Sequence, residues 1–152
     1  MHAFAAAGAG FLIAVLWFDL MFDVQVRPHA RDVLPPAVLA SISAYYRRVT
    51  TDARPMNRLI AAVMLLTLAM LIGEIAQGLP PGWDGWLSFL LAASAIGLAI
   101  GRIIGNAVRL GRAADSPETQ SRLARAIYRE HVWCLAAMAL VAALQLLAPF
   151  LA

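Results

Sequence analysis

Every one of the 12 basic side chains in this 152-residue chain is an arginine, and all lie in two blocks, Arg27 to Arg58 and Arg102 to Arg129. The stretches before, between and after the blocks are apolar, and each is long enough for one or two of the roughly 20-residue helices that cross a bilayer. Lipid offers no partner to a bare peptide group, so segments of this kind have to be helices that satisfy their own backbone. Composition agrees: 62% of the residues are hydrophobic and 14% charged, against about 45–50% and about 25% in soluble domains. The apolar surplus must face lipid. A net charge of +3 would suggest nucleic acid in a soluble chain. Here the arginines flank apolar spans, where basic residues set orientation and meet anionic headgroups. The expected partner is therefore the bilayer, not nucleic acid.

Four spans follow, at about 3–22, 59–77, 86–108 and 131–150, in one membrane domain covering 1–152. The opening Met1-His2-Ala3-Phe4 lacks the basic region of a cleavable signal, so the first span reads as structure. Gly78-Leu79-Pro80-Pro81-Gly82-Trp83-Asp84-Gly85 is a turn tight enough to make spans 2 and 3 an antiparallel hairpin. Both arginine blocks then fall on one side, and the positive-inside rule makes it the cytoplasm, with both termini outside. Trp83 and Trp86 mark the outer boundary, Trp17 and Trp133 the inner one. Arginine in place of lysine throughout suggests a GC-rich bacterial genome, and hence a bacterial inner membrane.

Two further elements are legible on the arginine side. Val38, Leu39, Ile42, Tyr45, Tyr46 and Val49 recur at helical spacing after Pro35-Pro36, predicting an amphipathic helix at about 36–50 lying on the inner leaflet. Ser116 and Pro117 supply an N-cap and a first-turn proline, so span 4 should start as a cytoplasmic extension over 117–130. Leu123, Ile127 and Tyr128 give that extension an apolar side for the Tyr45/Tyr46 helix. Gly97, Gly101 and Gly105 form a small-residue ridge on span 3, which suits close helix packing inside the bundle or, alternatively, a homodimer or partner seam.

Helical rise converts position into depth. Asp19 and Arg102 each lie roughly 24 Å from the outer start of their spans, which predicts an ion pair between them. Asp23, Asn106, His131, Glu130 and Arg58 enter at the same inner level, with Tyr46 beside them. In one reading this cluster locks helix register. In another it is an acid–base pocket, with His131 or Asp23 exchanging a proton and Arg102 holding an anionic group. If a metal binds, its ligands would be Asp19, Asp23, His131 and His29, although no compact ligand motif is present. Glu74 and Gln145 share a separate level near the outer surface, where they should bond to each other. Cys134 is the single cysteine, so no internal disulfide can form. No cofactor is evident from the sequence, and whether one binds is left open.

Several short pieces, taken in order, resemble the anthrone-oxygenase-like superfamily of small four-span membrane proteins. They are Val26-Arg27-Pro28 after span 1, Leu34-Pro35-Pro36, Arg54-Pro55 opening span 2, Gly105-Asn106 in span 3 and Arg129-Glu130-His131 entering span 4. The resemblance implies a membrane four-helix bundle and oxygenation of an aromatic or polyketide-like substrate without an obvious cofactor, with Asn106 and His131 in the matching places. Asp19, Asp23 and Arg102 lie outside what it covers.

The fold expectation is an all-α integral membrane four-helix bundle. For function the leading expectation is an accessory or structural membrane subunit. The alternatives are an oxidoreductase or oxygenase acting on a hydrophobic substrate at the inner cluster, and a proton-coupled transporter working as a dimer through Asp19, Asp23 and Glu74.

Overall fold

A computed structural model describes residues 1–29, 33–79 and 82–151. Pro80 and Pro81 of the expected turn, and Arg31 of the first arginine block, lie outside the described residues. Among the described residues the protein is helical throughout, and four helical stretches are long and apolar enough to cross a membrane. Helix α1 is His2–Asp23, continued by a 3-10 turn over Val24–His29. Helix α2 is Pro36–Arg47, extended by a π-helical turn at Arg48–Asp52. Helix α3 is Arg54–Ala76. Helix α4, Trp83–Leu98, runs through a second π-helical turn at Ala99–Ile103 into α5, Ile104–Arg112. Helix α6, Pro117–Leu151, carries the expected extension and the fourth span without a break.

The long helices form a ring in which α1 touches α3 and α6, and α4 touches α3 and α6. Apolar attraction is weak between helices already in hydrocarbon, so close approach of small residues has to hold such a ring. The packed faces show this: Ala5 and Ala9 of α1, Ala92 and Ala95 of α4, and Ala137 of α6 are buried. Phe4, Phe18, Leu65, Leu90, Leu146 and Phe150 are exposed and give the bundle an apolar outer surface.

The glycine ridge is not part of this packing. Gly97, Gly101 and Gly105 are exposed, and a Cβ on any of them would meet nothing within 4 Å. The expectation that they pack inside the bundle is corrected accordingly. The close approaches are made at other glycines. Gly8 of α1 abuts Thr67 of α3, and a Cβ on Gly111 of α5 would lie 2.7 Å from the backbone nitrogen of Arg47.

That second contact seats α2 against the bundle and revises the interfacial-helix expectation. Leu39, Ile42 and Tyr46 are buried, and α2 packs on α5 and α6. The apolar stripe faces protein, not lipid, because the arginine-rich ends of α5 and α6 already offer an apolar wall at Leu110 and Ile127. Leu34 just before α2 is tied down as well, its N–H donating to Ser121 Oγ at 2.9 Å. Helix α5 ends at Ala113 in the left-handed region, φ 50°. Asp115 then accepts a bidentate pair from Arg109 at 2.7 and 2.8 Å, which holds its carboxyl below the usual range. Ser116 caps α6.

Candidate functional site

The centre of the site is Asp23, which is fully buried at the last position of α1. A buried carboxylate needs its lone pairs filled, and two elements do so. Tyr46 on α2 donates to Oδ1 at 2.6 Å, and His131 on α6 donates from Nδ1 to Oδ2 at 2.7 Å. With Nδ1 engaged in this way, Nε2 is left as the basic atom of the imidazole. It faces Asp19 Oδ2 at 3.9 Å, beyond direct hydrogen bonding. Asp19, one turn before Asp23, accepts from Tyr45 at 2.6 Å through its other oxygen. Tyr45 in turn stacks on Phe22, with ring centroids 4.0 Å apart.

The two tyrosines belong to α2, outside the spans. Burial and the carboxylates beside them, Asp19 for Tyr45 and Asp23 for Tyr46, push both phenols above their ordinary range. Both therefore stay protonated and act as fixed donors.

Above this network lies a cavity of about 510 Å³, within the range of small-molecule sites. Asp19, Tyr45, Tyr46 and His131 line one end of it. The remaining wall is apolar, with Phe11 and Leu16 from α1, Ile60 and Met64 from α3, Ile96 and Ile103 from the α4–α5 stretch, and Met138 from α6. Two other polar residues on the wall are turned to backbone: Asn57 donates to the Val49 carbonyl at 2.8 Å and Thr50 to the Tyr46 carbonyl at 2.6 Å. Cys134 also lines it, with its thiol directed at the Ala95 carbonyl, 3.6 Å away.

Asp19, Asp23, His131 and Tyr46 come together as their depths predicted. The Asp19–Arg102 ion pair does not form. Arg102 pairs instead with Glu130 at 2.9 Å and keeps 64% of its side chain exposed. It lies in the π-helical turn at Ala99–Ile103, whose wider winding changes the helix phase that regular α-geometry assumes. Asp19 meanwhile has Tyr45. Arg102 does not line the cavity, so it cannot hold an anionic group there. Asn106 is half-buried and makes no side-chain hydrogen bond among the described residues, and Arg58 is exposed on α3. His29 is held away from the cluster in the turn after α1, where its carbonyl accepts from Arg125 at 2.6 Å. Among the described residues no group of three or more His, Cys, Asp or Glu side chains is set to hold a metal ion.

A second polar group occupies the hairpin end. His2 Nδ1 donates to Gln145 Oε1 at 2.9 Å and lies 3.5 Å from Glu74 Oε1. Gln145 Nε2 donates to Ser88 Oγ at 3.0 Å. His2 takes the Gln145 carbonyl, and Gln145 stays beside Glu74 as expected. Glu74 is 2% exposed, and neither of its carboxylate oxygens has a hydrogen-bond partner among the described residues. Asp84, 1% exposed, also has an unpartnered oxygen.

Sequence reasoning missed Tyr45 as a carboxylate partner, and missed His2, Asp84 and Ser88 altogether. The adjacent Tyr45-Tyr46 pair was the available signal, since two phenols facing two acids one helical turn apart can each take one. Comparison of the chain with protein-family models, curated proteins and solved structures returns no match.

Proposed function

We propose that the protein binds a neutral lipophilic molecule in the large cavity and exchanges a proton with it at His131 and Asp19. The observation that carries this reading is an apolar void in which, among the described residues, the side-chain polar groups not turned to backbone are one carboxylate, two phenols and an imidazole, all at one end. An anionic head would meet Asp19, with no arginine in the cavity wall among the described residues to offset it. A hydroxyl or phenol would instead donate into the 3.9 Å gap between His131 Nε2 and Asp19. Asp23 fixes the ring tautomer and stabilises the imidazolium that forms when Nε2 takes a proton. The apolar wall excludes water from the resulting anion. An oxygenase of aromatic substrates, the activity the resemblance implies, would need such a deprotonated substrate before dioxygen reacts.

In this proposal the arginine-rich end faces the cytoplasm of a bacterial inner membrane, with both termini on the opposite side. The test is binding of 1-naphthol, a lipophilic phenol, to protein in nanodiscs. Wild type should bind saturably, and Ala99→Trp, which fills the cavity, should abolish binding while His131→Ala weakens it tenfold or more. Equal uptake by wild type and Ala99→Trp would reduce binding to partition into lipid and end the proposal.

The accessory-subunit reading has one observation in its favour, the outward glycine face at Gly97, Gly101 and Gly105. Substituting all three by leucine should release a co-purifying partner or a second copy in mild detergent. A transporter would have to join the two polar ends, and the buried Thr67 between them has its hydroxyl turned to the Val63 carbonyl.

A further inference from the structure

The hairpin end contains a second cavity, about 160 Å³, lined by His2, Glu74, Asp84, Ile75, Leu79 and Trp86 among others. We infer that it binds a small organic ammonium ion, with Glu74 and Asp84 accepting its N–H groups and Trp86, Ile75 and Leu79 covering its carbon chain. This inference is independent of the function proposed for the large cavity.

Three features lead to it. First, Glu74 and Asp84 are almost wholly buried and between them present three carboxylate oxygens without hydrogen-bond partners. Buried polar atoms are rarely left unsatisfied, and a carboxylate least of all. Second, the nearest cation is only partly available. His2 lies 3.5 Å from Glu74 but commits its Nδ1 to Gln145, and it is the one group within ion-pairing distance of Glu74 among the described residues.

Third, the rest of the wall is apolar and includes an indole. A bare inorganic ion would gain nothing from that wall, and among the described residues no third ligating side chain converges to chelate a metal. An alkylammonium ion uses both parts: its N–H groups fill the carboxylates, and its carbons and charge rest on the indole face. The volume suits a molecule of a few heavy atoms, since a water takes up about 30 Å³ in the liquid. Trp86 is 57% exposed and stands beside Gly82 and Gly85, so the indole sits where a ligand from the aqueous side can reach it.

The experiment is titration of the whole protein in nanodiscs with n-propylammonium chloride, followed by ligand-observed NMR. Wild type should show saturable binding, with sodium and 1-propanol at equal concentration failing to compete. Glu74→Gln and Asp84→Asn keep shape while removing charge, and each should weaken binding tenfold or more. Competition by sodium on equal terms, binding of 1-propanol as tight as the amine, or unchanged affinity in the Glu74→Gln/Asp84→Asn double variant would each overturn the inference. The two competition results need no variant, so misfolding of a variant cannot mask the answer. Binding of 1-naphthol at the other end should be the same throughout.

Discussion

The two ends of the bundle bury the same kinds of groups and treat them in opposite ways. At the arginine-rich end Asp23 has both oxygens filled, by Tyr46 and His131, and Asp19 has one oxygen filled, by Tyr45. At the hairpin end Glu74 and Asp84 are as deeply buried yet have oxygens without partners, although a histidine, a glutamine and a serine stand nearby. The source of the difference is an extra helix. Helix α2 brings two phenols to the end of α1, whereas the hairpin side has only a short turn and the start of α1. Saturated carboxylates are structural ties that also position an imidazole. Unsaturated ones are standing demands for a cation or a proton.

The sharpest way to break this contrast is to remove one acid from each end. Asp23→Ala strands His131 and Tyr46, and loss of one member of a buried pair costs about 3–5 kcal/mol. Glu74→Gln deletes a charge whose nearest partner, His2, stands 3.5 Å away without a hydrogen bond to it, and should change stability by less than about 1 kcal/mol, in the stabilising direction. Reversible unfolding in micelles measures both, and equal costs would erase the distinction. Within the saturated end, Tyr46→Phe should lose about 1.5–3 kcal/mol, as expected for a hydrogen bond to a charged group. Tyr45→Phe should lose less, because Asp19 and Tyr45 are only half-buried; the same unfolding assay ranks them.

A third comparison separates a packed glycine from an unpacked one. Gly111→Ala forces α2 off α5 and should cost about 1–3 kcal/mol. Gly105→Ala meets nothing and should be neutral or stabilising by up to about 1 kcal/mol through helix propensity. Denaturation midpoints of the pair decide it, and a costly Gly105→Ala would place a partner on that face.

The smallest effect is expected in alkali. Tyr45 and Tyr46 have raised phenol values in the folded state, so they bind protons that the unfolded chain releases. Their contribution to stability is complete below the ordinary tyrosine value of 10.0 and falls as pH rises through it. Ultraviolet titration should find two of the three tyrosines ionising only as the protein unfolds. Two phenols titrating freely in the folded protein would contradict the network.

Much of this was legible in the residues. Apolar length located the four long helices, Ser116-Pro117 placed the start of α6, and depth counting grouped Asp19, Asp23 and His131. Depth counting failed for Arg102, because rise along an axis gives a level but not a direction. A π-helical turn at Ala99–Ile103 intervenes, and Glu130 is the nearer acid. The glycine ridge was misassigned for a related reason: spacing shows that small residues share a face, but not what that face meets. Helix α2 was recognised as amphipathic, while the surface it covers depended on where α5 and α6 end.

What the chain settles by itself is the part governed by local physics: apolar runs of membrane length, helical periods, caps, and arginines kept to one end of the helices. Only the assembled tertiary structure decides which acid meets which donor, that a void of about 510 Å³ opens over His131, and that oxygens of Glu74 and Asp84 at the far end go without hydrogen bonds among the described residues. Those outcomes depend on the rotation of one helix against another. Rotation is settled by side-chain packing across the whole ring, which no single segment encodes.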